Sequence, residues 1–241
     1  MVIMRINEHI VKKICQAMNY TLLDFRTVYE QAISEVNDNG IRPALWAKRA
    51  DILTHDFEPD EEIKVLHVKR GNLWQIDPVA DLENGDLYVL MSRKNLKERI
   101  KEAKRKQFST HYLYSLILKN SYIKVKQQEE LALFPIYSKE EQEEHVAYRK
   151  EDCERILRNY NEKINRIVVI AVDYVAEIAP PACAYVFDDK YNVFDSLDVS
   201  DYLLPAEYES TGSSVDKEKQ VEIHQPIVKL KLRKKAKGND K

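Results

Sequence analysis

Glycine is scarce, with five residues in a chain of 241. No GxGxxG or GxxxxGK[ST] string occurs, which argues against a glycine-rich phosphate cradle and a loop-dominated fold. Cysteine is equally rare. Cys15, Cys153 and Cys183 lie far apart, which excludes a disulfide framework and a CxxC metal site. That usage suits a reducing, cytoplasmic compartment. Nowhere do 18 apolar residues run together, so no membrane span is expected. The opening MVIMRINEHIVKKI is amphipathic and broken by charges, unlike a signal peptide. Net charge is also nearly absent, −2 in spite of 32% charged residues, so overall charge selects no partner.

What is present is enough apolar material, 44%, for a real core. Ile6, Ile10, Ile14 and Met18 recur at spacings of four, with Val11 beside them, and predict a first helix over 6–18. Phe25, Tyr29 and Ile33 predict a second over 22–36, stopped by the string NDNGI. Pro43 suits the first turn of a third, reaching about Leu53. The period then changes to alternation. IKVLHVKR (63–70), GNLWQIDPVADL and LYVLM predict three antiparallel strands, with a turn at Asn84-Gly85 and Pro78 at an edge or bulge.

Beyond the strands, RKNLKERIKEAKRK (93–106) reads as a helix with one apolar stripe, Leu96, Ile100 and Ala103. HYLYSLILKN (111–120) is a more apolar helix. Ser138 and Glu141 form a capping box opening a helix over 138–163, long enough to join two halves of one sheet. RIVVIAVDYVAEI (166–178) predicts a buried central strand, broken by Pro180-Pro181. Two short strands around Asp188-Asp189 and a helical turn at 198–204 follow. The expected architecture is one α+β domain over 1–204: N-terminal helices, an antiparallel three-stranded hairpin sheet, helices, then C-terminal strands. A polar stretch at 124–138 reads as a linker, and 205–241 as a disordered basic tail.

Three constellations carry candidate chemistry. Asp77, Asp81, Glu83 and Asp86 surround the hairpin, and Asp77 with Asp86 would be the ligands of a Mg²⁺-dependent nuclease. YVLMSRK lacks the carboxylate-x-lysine pairing that such a site needs, and the acidic residues also suit turns. His67, His111, Ser92, Ser109 and Cys153 have no ligand or nucleophile spacing. The helix 93–106 carries eight Lys or Arg against Glu98 and Glu102. On it Lys94, Lys97, Lys101, Lys104 and Arg105 offer a face for a phosphate backbone or an acidic protein. The basic run from Lys229 to Lys237 has the same readings, with solubility as a further one.

The third constellation is EELALFP (129–135), two leucines and a phenylalanine between polar flanks. Residues 130–134 resemble the bacterial sliding-clamp binding peptide, commonly Gln-Leu-x-Leu-Phe. The resemblance makes Leu131, Leu133 and Phe134 the anchors in apolar subsites. Glu130 departs from the glutamine and loses its amide donor. The competing reading packs the three apolar residues on the domain, stopped by Pro135.

NGIRPALW, LYVLM, RKNLKE, HYLYSLILKN, LALF, RIVVIAVDY and VFDSLDVSDYL together resemble an uncharacterised family of small proteins from low-GC Gram-positive bacteria and their prophages. The resemblance covers about two thirds of the chain and implies a genomic setting without an activity. The function expected from these readings is non-enzymatic binding in DNA metabolism on a phage or mobile element, with 130–134 docking a sliding clamp and 93–106 facing nucleic acid. No cofactor is expected outside the nuclease alternative. A plain protein–protein interaction domain is the third reading.

Overall fold

β6 (Arg166–Val172) runs through the middle of the molecule, and its residues 167–172 are completely shielded from solvent. A computed structural model describes residues 5–72, 74–125, 136–174 and 182–203. All of them fall in one compact unit. The string 130–134, the basic tail and Pro180-Pro181 lie outside the described residues.

The fold is mixed α+β. Helices α1 (Glu8–Asn19), α2 (Leu22–Ala32) and α3 (Ile41–Phe57) come first. Strands β1 (Ile63–Val65), β2 (Val68–Lys69), β3 (Gln75–Ile76), β4 (Val79–Asp81) and β5 (Asp86–Ser92) follow. Then come α4 (Arg93–Lys106), α5 (Tyr112–Leu116) with a 3₁₀ turn at Ile117–Asn120, and α6 (Lys139–Leu157). After β6, β7 (Ala182–Phe187) and β8 (Val193–Asp198) complete the sheet.

The expected three antiparallel strands exist as β1-β4-β5, and the sheet continues from β5 through β6, β7 and β8. Among the described strands only the β5–β6 pair is parallel, with Asp86 opposite Arg166 and Ser92 opposite Val172. The two strands predicted over 63–70 and 71–82 are each broken. The main chain leaves the sheet at Leu66, whose N–H donates to Pro78 O, and β2 pairs with β3 in a separate ribbon. Pro78 has no N–H to offer a ladder, which makes the break local chemistry.

Alternation divides β5 and β6 between two cores. Leu87, Val89, Met91, Ile167, Val169 and Ala171 face α4, α5 and α6. Tyr88, Val168, Ile170 and Val172 face α1 and α3. Covering both faces is why β6 reads as a nearly continuous apolar run. The predicted second helix ends earlier than its period suggested, at Ala32, and Ile33 is 60% exposed. Ser34 Oγ accepts from the N–H groups of Val36 and Asn37, so a side chain takes donors that the next helical turn would have used.

Buried polar groups fasten the layers. Asp86, 2% exposed, is held by Arg166 through Nε to Oδ1 at 2.7 Å and Nη2 to Oδ2 at 2.5 Å. Asp81, directly opposite Asp86, accepts from Asn84 and from the Asn7 side chain at the start of α1. Asn120 donates to Ile167 O and Phe187 O and accepts from Ile167 N, tying the 3₁₀ turn to β6 and β7. Gly85 sits at φ +71°, where a Cβ would lie 2.8 Å from Asn165 Nδ2, and its carbonyl accepts from the N–H groups of Asn165 and Arg166.

Two basic side chains serve helix ends. Arg49, 3% exposed, donates from Nε and Nη2 to Tyr20 O and from Nη2 to Met18 O, satisfying carbonyls at the end of α1. Burial lowers its pKa, and the rings of Trp46 and Tyr174 lie 4.8 and 5.2 Å from the guanidinium carbon. Arg149 of α6 donates to Tyr114 O and Asp189 O and stacks on the Tyr114 ring at 3.8 Å.

Two tests follow from these buried groups. Arg166→Ala strands the Asp86 carboxylate and is expected to cost about 3–5 kcal/mol in chemical denaturation, while the pair Asp86→Asn with Arg166→Met recovers most of it; equal stability of wild type and Arg166→Ala would remove the pair from the account. His111 caps α5, with Nδ1 accepting from Leu113 N. Burial, with Arg99 and Arg70 nearby, pushes its pKa down from 6.5 to about 4. The unfolded chain therefore binds a proton that the folded one refuses between those values. Stability is expected to be full above about pH 6.5 and to fall by on the order of 3 kcal/mol toward pH 4. Denaturation midpoints against pH check this, and His111→Asn, a non-titrating cap, should flatten that limb.

Candidate functional site

α4 starts where β5 ends. Ser92 Oγ accepts from Asn95 N, and Gln107 closes the helix in the left-handed conformation. Leu96 and Ala103 are buried against the α4–α6 core. Three of the eight basic residues are engaged: Arg93 with Asp173 at 3.8 Å, Arg99 with Glu102 at 2.6 Å, and Lys106 with Glu102 at 2.9 Å.

The other five are the residues that the sequence singled out. Lys94, Lys97, Lys101, Lys104 and Arg105 are all exposed, and none forms an ion pair with a described residue. At 100° per residue their directions fall within an arc of about 100°, and they span about 16 Å of helix. Glu98 flanks the stripe, approached by Arg99 at 4.0 Å. Cations at this spacing repel one another, and an extended polyanion relieves that repulsion.

Beside the N-terminal turn of α4 lies a cleft of about 120 Å³. Its floor is apolar, with Leu53, Ile76, Val89 and Met91. Trp46 and Arg49 from α3, Trp74 and Asp77 from the β2–β3 region, and Asn95 from α4 form its walls. The ribbon turn that presents Trp74 is held by Arg70, whose N–H donates to Trp74 O at 2.7 Å and whose guanidinium pairs with Asp152. Asp77 Oδ1 accepts from Gln75 Nε2 at 2.6 Å and contacts His67 Nδ1 at 2.8 Å. Oδ2 has no hydrogen bond to a described residue. His67 Nε2 lies 3.4 Å from Thr54 Oγ1, whose proton is donated to Ala50 O at 2.7 Å. This Thr–His–Asp chain commits the hydroxyl to the helix backbone instead of readying it as a nucleophile.

The structure does not bring Asp77 and Asp86 together. Asp77 lines the cleft at the C-terminal end of β5, whereas Asp86 begins the strand, about 15 Å away at 3.3 Å per residue. Among the described residues, no group of three or more His, Cys, Asp or Glu could hold a metal ion. Asp81 serves the hairpin turn, as its position suggested. Ser109 accepts from His111 N, and burial pushes the Cys153 thiol up to about 11. Glu130, Leu131, Leu133 and Phe134 lie outside the described residues. No helix among the described residues is long and apolar enough to cross a membrane.

Sequence reasoning found the stripe and missed the cleft. Trp46, Trp74 and Asn95 have no local spacing that links them; they meet because the ribbon folds back over α3 and the end of β5.

No curated protein and no solved structure matches the chain. The profile of a family of unknown function, DUF5986, matches residues 4–241, so the chain, with its cationic helix and tryptophan-walled cleft, belongs to that family.

Proposed function

We propose that this protein is a non-enzymatic, cytoplasmic binding protein of DNA metabolism that holds a nucleic-acid backbone along α4. The observation that carries the reading is the stripe Lys94, Lys97, Lys101, Lys104 and Arg105: five exposed cations on one helical face with no carboxylate partner among the described residues. Each phosphate neutralised by such a residue releases counterions, so affinity comes mostly from that exchange. Side chains along about 16 Å of helix meet successive phosphates of one strand.

A second contact belongs to the same proposal. The string 130–134 lies in the sequence between the 3₁₀ turn that ends at Asn120 and the start of α6. Leu131, Leu133 and Phe134 match the apolar anchors of sliding-clamp peptides, so the protein would act where a clamp is loaded on DNA. The resemblance to prophage proteins supports a setting on a mobile element.

Titrating the full chain with a fluorescently labelled single-stranded oligonucleotide over a range of salt tests the first contact. Wild type is expected to lose affinity steeply with salt. Replacing Lys97, Lys101 and Lys104 together with alanine should flatten the slope of log K against log salt by about 2, at roughly 0.7 per phosphate contact. Salt-insensitive binding, or an unchanged slope, overturns the reading. For the second contact, clamp protein retained on the immobilised chain should be lost with Leu133→Ala plus Phe134→Ala; equal retention removes the clamp from the proposal.

A further inference from the structure

We infer that the cleft beside α4 receives one unpaired nucleobase bearing an exocyclic amino group, presented by the strand whose backbone lies on the cationic stripe. This inference rests on the backbone reading of α4 and names the ligand of the adjoining cleft.

Size comes first. A cavity of about 150 Å³ holds a benzene ring. A cleft of about 120 Å³, smaller than that but open to solvent, takes the edge of a single planar ring with the rest of the ring at its mouth, and excludes a whole dinucleotide cofactor. Its chemistry suits a base. Trp74 is 48% exposed and offers aromatic surface for stacking, while the partly buried Trp46, covered on one side by the Arg49 guanidinium, closes the opposite wall. The apolar floor takes the inserted edge of the ring. Polar groups converge on the same space: the Asp77 Oδ2 atom and the Asn95 side chain have no hydrogen bond to a described residue. Few polar groups over an apolar floor are the general signature of a ligand site.

Asp77 decides between bases. Its Oδ1 atom is taken by His67 and Gln75, which fixes the carboxylate and leaves Oδ2 as an acceptor. Adenine, cytosine and guanine offer an NH₂ group to it, whereas thymine offers carbonyl oxygens on both sides of its one N–H. Location links cleft and stripe. Lys94, the first residue of the stripe, immediately precedes Asn95, which lines the cleft. Lys94 and Asn95 point about 100° apart around α4, so a nucleotide whose phosphate sits on Lys94 has its base within reach of the cleft beside the stripe.

The chain contains only two tryptophans, and both line the cleft, so tryptophan emission, excited beyond the tyrosine band, reports on this site alone. The full chain is titrated with oligodeoxycytidine, oligodeoxythymidine of equal length, an abasic oligomer, and free deoxycytidine. Oligodeoxycytidine should quench saturably and bind roughly tenfold more tightly than oligodeoxythymidine. The abasic oligomer should bind without quenching. Trp74→Ala should weaken oligodeoxycytidine binding roughly tenfold with an unchanged salt slope, while Trp74→Phe keeps most of the affinity; these sizes follow from stacking on one aromatic ring. Asp77→Asn should erase the preference for cytosine. Equal affinity for the base-containing and abasic oligomers, or unchanged binding in Trp74→Ala, overturns the inference. Free deoxycytidine separates the two readings. Quenching by the nucleoside with oligomers binding no tighter keeps the cleft and removes the stripe. Oligomer binding with no quenching by any base-containing ligand keeps the stripe and removes the cleft.

Discussion

The parallel pairing of β5 with β6 constrains everything else in this molecule. Antiparallel neighbours can be joined by a tight turn, but parallel ones need a long crossover. Here the chain from Arg93 to Asn165 makes that crossover, and it holds α4, α5 and α6. Those helices pack one face of the sheet, and α1 with α3 pack the other. α4 is the first piece of the crossover, so it begins at the sheet and runs along the surface. Its inward stripe is apolar, and its outward stripe is free to concentrate charge. The same junction sets the cleft beside the start of the charged helix, because Ser92 and Asn95, at the N-terminal end of α4, line the cleft.

Such a layered core leaves helix ends pointing at neighbouring elements, and arginine satisfies them. Arg49 and Arg149 are both buried, and both donate to main-chain carbonyls while stacking on aromatic rings. A planar guanidinium suits this task, since one side chain reaches several carbonyls and its faces remain available for stacking. For Arg49 the carbonyl end of α1 also supplies partial negative charge. Arg49 thereby holds the end of α1 to the helix that carries Trp46, and stability and cleft geometry share one residue.

Much of this was legible from local chemistry. α4 has the limits its periodicity and charge gave it, the Ser138–Glu141 capping box is present, and Asn84-Gly85 turns the hairpin. The β-branched run read as a strand over 166–178 is the central strand as far as Val172, as continuous apolarity implies for a strand covered on both faces, and Asp173 and Tyr174 lie beyond it. What local pattern did not reveal was pairing between distant segments. Nothing in LYVLM or RIVVIAV announces that they lie side by side in parallel. The break at Pro78 was legible, but not that Leu66 gives its N–H to the Pro78 carbonyl. Ile33 fits a helical period but faces solvent because Ser34 captures the backbone. The cleft was illegible for the same reason, since its walls come from four separate stretches of chain. Asp77 was named from its charge, and its partners His67 and Gln75 became visible only in three dimensions.

The contact between Gly85 and the start of β6 bears on register. A hairpin sets its own register through its turn, but a parallel pair has no turn to count from. Here the hairpin turn supplies the missing reference, because the Gly85 carbonyl receives the N–H groups of Asn165 and of Arg166, the first residue of β6. A slip of one residue past that point would send the side chains of β6 to the opposite faces and exchange the contents of the two cores. Added length in the crossover before Asn165 leaves this reference intact, whereas an insertion at the junction of Gly85 with β5 or of Asn165 with β6 would shift it. One small residue acts as the origin from which both halves of the sheet are measured.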